Sequence, residues 1–144
     1  PARGDHDEHK PQRKGTGAMS RIFVILATLF MFGGVAYAFQ PDLFSANGLK
    51  LEGAAAISDV RTMYGTLPIA LAVFLAPGCL RKTGHVTELK LITLIFAGLV
   101  AGRLLGLALD KGDQTFTTTA LAFEAAVLVV SGVLLRREMA RKTA

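Results

Sequence analysis

Four stretches of the chain, residues 22–39, 58–80, 89–109 and 115–135, are apolar almost without interruption. Together they take up more than half of its 144 residues. Each is close to the ~20 residues that an α-helix needs to cross a hydrocarbon core. A backbone in lipid has no water to bond to, so only helices and closed barrels are admissible there, and blocks this long without strict alternation exclude barrel strands. With 51% hydrophobic residues, 19% charged residues and a mean hydropathy of +0.44, the chain has too little charge to clothe a soluble domain. The expectation is an all-α membrane protein, a four-transmembrane-helix bundle with antiparallel neighbours. Its parts are a disordered polar N-terminal tail (1–20), the transmembrane domain (21–137) and a basic C-terminal tail (138–144). The first block resembles a signal peptide only loosely, and its length together with three further spans favours a retained helix.

The formal net charge is +5. All but four of the 16 Lys and Arg residues precede the first block, lie between the second and third or at the very start of the third (Lys90), or follow the fourth. The exceptions are Lys50, Arg61, Lys111 and Arg103. Such asymmetry is what the positive-inside rule produces, so both termini are expected in the cytoplasm. Charge sorted by topology calls for no nucleic-acid partner.

The connecting segments carry weaker signals. Residues 1–18 are polar and contain Pro and Gly, with His6 and His9 flanking two carboxylates. These histidines are read as solvated rather than as a metal clip, and His85, in the loop "RKTGHVTELK", is read as solvated too. Cys79 is alone, so no intrachain disulfide exists, and a small apolar role is expected of it. Residues 40–57 form the only sizeable exterior loop, after which Ser58 has the position of an N-cap and Asp59 that of a first-turn acid. The short link "DKGDQ" forces the last two helices into an antiparallel hairpin.

Beyond their first turns, two charges interrupt the apolar blocks: Arg103 in "AGRLLGLALDKG" and Glu124 in "TTTALAFEAAVLVV". Counted from the turn at 1.5 Å per residue, they lie roughly 10 and 13 Å deep, level with each other across the hairpin. Either one alone at a helix centre costs about 2.5–3.5 kcal/mol, so mutual neutralisation is expected. Arg103, Gly106 and Asp110 share one helix face. Arg61, Tyr64, Gly65 and Pro68 share another. A polar network of Asp59, Arg61, Tyr64, Arg103, Asp110 and Glu124 is therefore the candidate site. It is read as glue between helices, against the alternative of a binding or proton site near the outer face. Gly98, Gly102 and Gly106 make overlapping small-xxx-small steps, which with Gly65 are candidates for close helix packing. Pro68 and Pro77 are expected to bend or end the second helix.

In this order, "DVRTMYGTL", "AGRLLGLALDKG" and the intramembrane Glu124 resemble the bacterial four-helix membrane proteins catalogued as domain of unknown function 4345. The resemblance runs from about Arg21 to Arg137 and carries over onto Arg61, Tyr64, Gly65, Gly102, Arg103, Gly106, Asp110 and Glu124. Asp59 stands where Glu is expected, and Thr66 where a second Gly is usual, which weakens the case for close approach at Thr66. The resemblance implies a four-helix bundle in a bacterial inner membrane and no established activity.

For catalysis the sequence has no nucleophile–base pair, no metal-ligand cluster and no phosphate loop, so no enzyme, cofactor or metal is expected. A non-catalytic accessory, assembly or packing subunit, contacting lipid and other membrane subunits or itself, needs only what is visible. The alternative is a homo-oligomeric ion, proton or small-solute transporter centred on Arg103 and Glu124.

Overall fold

Residues 15–47, 50–109 and 115–142 are described by the computed structural model, and their regular structure is helical. The chain begins with α1 (Gly15–Phe32) and, after a break at Gly33, continues as α2 (Gly34–Phe39). A 3₁₀ segment (Pro41–Asn47) follows. The chain returns as α3 (Gly53–Val60), a π-helical turn (Arg61–Thr66) and α4 (Leu67–Leu80). The last two elements are α5 (Val86–Leu109) and α6 (Thr115–Lys142). Four spans are long and apolar enough to cross a membrane: Gly17–Phe39, Gly53–Leu80, Val86–Leu109 and Phe116–Lys142. They mark the chain as a multi-pass membrane protein.

The distribution of side chains agrees. Leu29, Phe74, Leu94, Leu105 and Val129 are each more than half exposed. In water a surface so rich in large apolar groups is an aggregation site, whereas in a bilayer it is the lipid face. What each helix buries is a narrow stripe at helical spacing: Ser20, Val24, Thr28 and Met31 on α1; Leu89, Ile92 and Phe96 on α5; Glu124, Ser131, Leu134 and Glu138 on α6. The apolar members of these stripes meet Ala72 and Leu75 of α4 in one core.

Packing divides the spans into two pairs. The first span lies along the second, α1 on α4 and α2 on the π turn, while α5 lies along α6. More sparing contacts of α1 with α6 and α5 join the pairs. Gly17 fixes the sense of the bundle, because a Cβ there would lie 3.4 Å from Arg141 Nη1 and 3.6 Å from the Lys82 carbonyl. The start of α1, the α4–α5 link and the end of α6 therefore form one basic end.

Helix boundaries depart from the sequence reading in one direction: the spans are longer. The first is helical from Gly15 rather than 22, and the third from Val86 rather than 89. The fourth runs to Lys142, through most of the segment expected as a basic tail. The second starts at Gly53, which places Ser58 inside α3, where its carbonyl accepts from Thr62 Oγ1 at 2.9 Å, and not at an N-cap. Residues 1–14 of the expected polar tail lie outside the described residues.

Pro68 accounts for the π turn. It has no N–H to donate to the Tyr64 carbonyl and its ring crowds that carbonyl, so the preceding turn widens to the i→i+5 register. At the basic end, Gly84 takes φ +82°, a left-handed position that favours glycine, and this turns the link directly into α5.

Candidate functional site

Arg103 and Glu124 stand level on the α5–α6 hairpin and bond directly. Arg103 Nε donates to Glu124 Oε1 and Oε2 at 3.2 and 3.3 Å, and Nη2 lies 3.1 Å from Oε1. The Glu124 side chain is 9% exposed and that of Arg103 24%, so the acid is sealed while the guanidinium keeps an open edge. Phe116 occupies part of that edge, its ring centroid 5.3 Å from Arg103 Cζ. A charge-assisted fork of this kind holds two helices in register.

The larger network expected around the pair does not assemble among the described residues. No hydrogen bond or ion pair joins Asp59, Arg61 or Tyr64 to Arg103 or Glu124. The cause is the pairing of the spans: the π turn packs against α2, and α5 against α6, so the two motifs belong to different helix pairs. Tyr64 stacks on Phe44 of the 3₁₀ segment at 4.3 Å, and Phe44 meets Tyr37 at 5.9 Å. Arg61 instead lines an open cavity of about 480 Å³ with Gln40, Asp42 and Ile57. Asp59 is exposed, and Asp110 lies outside the described residues.

The glycines divide in the same way. A Cβ on Gly65 would stand 2.7 Å from Ala38 Cα, and one on Gly34 2.7 Å from the Gly65 carbonyl. These two glycines let the first and second spans touch backbone to backbone. At Gly98 and Gly102 a Cβ would meet nothing within 4 Å, so this part of the expected packing face contacts no other helix of the chain. Gly106 is half-buried. All buried residues of α5 precede Gly98: Val86, Glu88, Leu89, Ile92 and Phe96. The half of α5 that carries Arg103 is thus open except toward α6.

A second polar constellation lies at the basic end, and sequence reasoning missed it. His85, expected in solvent, is fully buried, and Glu88 and Glu138 are 3% and 5% exposed. Ser20 Oγ of α1 donates to Glu138 Oε1 of α6 at 2.8 Å, with Arg141 Nη1 3.7 Å from the same oxygen. Glu88 pairs with Arg81, and Arg21 Nε donates to the Cys79 carbonyl at 3.0 Å. Cys79 is half-buried, with Sγ 3.4 Å from Thr28 Oγ1, a polar contact added to the small apolar role expected of it. Two signals were available. His85 falls on the stripe of Leu89, Ile92 and Phe96, and Glu138 on that of Ser131 and Leu134. Among the described residues no group of His, Cys, Asp and Glu is arranged to hold a metal ion.

Residues 19–135 match the family described as a domain of unknown function, number 4345. No curated protein and no solved structure matches the chain. The chain belongs to that family, whose description assigns no activity.

Proposed function

We propose that the protein is a non-catalytic accessory or assembly subunit that binds another membrane protein, or a second copy of itself, along the open half of α5. The observation that carries this reading is the bare face at Gly98 and Gly102, where an added Cβ meets nothing, beside a neutralised and mostly dry ion pair. A small-residue face that its own chain leaves uncovered permits close backbone approach by a neighbouring helix, and dispersion contacts are the main source of association in lipid. The pair needs no further partner of its own, consistent with a part in alignment. The basic end is proposed to face the cytoplasm, on the distribution of Lys and Arg. The membrane is taken to be a bacterial inner membrane.

Purification from native membranes in mild detergent tests the proposal. A defined partner is expected to co-migrate with the wild-type chain. Gly102→Leu is expected to abolish that co-migration while leaving insertion and thermal stability unchanged, because the added side chain points into open space. Saturable solute or proton flux through liposomes containing the purified chain alone, lost in Glu124→Gln, would establish the transporter alternative instead.

A further inference from the structure

The basic end holds a buried histidine without a partner. Nδ1 and Nε2 of His85 make no hydrogen bond, and neither does Oε2 of Glu88, three residues further on in the first turn of α5. A buried ring nitrogen left unpaired costs free energy, and groups of this kind mark either ordered water or a site that exchanges protons. The surroundings come from every element packed there. Ser20 and Arg21 belong to α1, Arg81 to the α4–α5 link, Glu88 to α5, and Glu138 and Arg141 to α6. Three guanidinium groups thus stand around two carboxylates, and the site already has a positive excess while His85 is neutral.

We propose that His85 is a proton-binding site whose protonation exchanges the partner of Glu88 and thereby releases the α4–α5 link at the basic end. A proton from the adjoining aqueous phase binds one imidazole nitrogen, and the second nitrogen keeps its hydrogen, so both become donors. The His85 carbonyl accepts the Leu89 N–H at the start of α5, and Glu88, three residues after His85, supplies the unused acceptor oxygen. The added charge raises the local excess, and the group best able to leave is Arg81, whose side chain is 49% exposed, against 33% for Arg141. Arg81 moves to solvent, Glu88 turns to His85, and the link loses its tie to α5. Glu138 remains held by Ser20, so α1 and α6 stay joined.

The direction of the pH response follows from burial. Desolvation is the largest influence on the ring and lowers its pKa from 6.5; Arg81 and Arg21 act in the same sense, and Glu138 opposes them. A histidine that takes up its proton less readily when folded contributes full stability above about pH 6.5. That contribution falls as the pH drops below 6.5 toward the folded value. Acid on the side of the basic end therefore loosens the link.

The test uses ¹⁵N-histidine-labelled full-length protein in lipid nanodiscs, titrated from about pH 7.5 to 5. The resonance assigned by its loss in His85→Gln is expected to titrate below 6.5. Thermal stability of the wild type is expected to fall over the same interval, and that of His85→Gln to change much less. Arg81→Gln is expected to raise the His85 midpoint, since it removes a competing cation, and it keeps the proposal falsifiable if His85→Gln does not fold. A midpoint at or above 6.5, an unchanged midpoint in Arg81→Gln, or equal pH dependence with and without His85 would each overturn the proposal.

Discussion

Arg103→Leu is expected to destabilise the protein more than Glu124→Leu does, and the double substitution is expected to undo much of both losses. The asymmetry comes from burial. Removing Arg103 strands a carboxylate whose side chain is 9% exposed and which makes its hydrogen bonds to Arg103. Stranding one member of a buried pair costs about 3–5 kcal/mol. Removing Glu124 leaves a guanidinium that is 24% exposed and keeps the Phe116 ring at 5.3 Å. Its long stem lets the charge seek the interface, so the cost is closer to the ~2.5–3.5 kcal/mol of an intramembrane Arg or below it. The double mutant buries neither charge and fills the space with apolar side chains of similar size. Unfolding in mixed detergent micelles by increasing SDS, for the wild type and three variants, closes the cycle. A coupling energy under about 0.5 kcal/mol, the additivity expected of independent sites, would refute the pairing argument. Greater harm from Glu124→Leu would refute the asymmetry.

Two other expectations can be measured separately. Gly65→Ala places a methyl group 2.7 Å from Ala38 Cα, a backbone atom that cannot swing aside, so the first and second spans must separate. The loss is expected to be about 1–3 kcal/mol in the same SDS titration, and wild-type stability would refute the close approach. On the proposed orientation, with the basic end facing the cytoplasm, an impermeant thiol reagent on intact cells is expected to label Ser45→Cys and not Thr83→Cys, in a background with Cys79→Ala. The reverse pattern would invert the bundle.

The spans and the Arg103–Glu124 contact were legible because both depend on local information. A run of apolar residues decides each span, and a short link fixes which positions face each other across a hairpin. What could not be read was which spans are neighbours without a short link. Arg61 and Tyr64 fall in the same half of the bundle as Arg103 by residue count, yet the second span packs on the first, and Tyr64 finds Phe44 instead. His85 failed for a related reason. Its neighbours in sequence are polar, and Glu138, the carboxylate that acts on its charge, belongs to a stretch of α6 that the sequence reading assigned to a tail. Among the glycines, the repeat at Gly98 and Gly102 is open within the chain, while Gly65, also a packing candidate, makes the tight contact with Gly34, which stands in no repeat.

The two ends of the bundle are built differently, and the difference bears on how a partner is engaged. At the basic end, the Ser20–Glu138 bond joins the two helix pairs, α1 to α6, and the Arg21–Cys79 bond fastens α1 to α4 within the first pair. Toward the opposite end, α5 has no buried residue beyond Phe96, and Arg103–Glu124 ties α5 only to α6. An apolar cavity of about 310 Å³, lined by Phe23, Phe30, Phe96 and Phe123 among others, lies between α1 and the hairpin. The α5–α6 hairpin is thus held to α1 by a hydrogen bond at the basic end and by apolar contacts further along, Phe30 against Phe123 at 5.4 Å among them. Loosening the α4–α5 link by a proton at His85 acts at the basic end of the same hairpin. Partner binding along α5 is therefore expected to weaken in acid in the wild type, and to lose that pH dependence in His85→Gln. Co-purification of the partner across the titration interval measures both. Equal pH dependence in the two proteins would show that the basic end and the α5 face act independently.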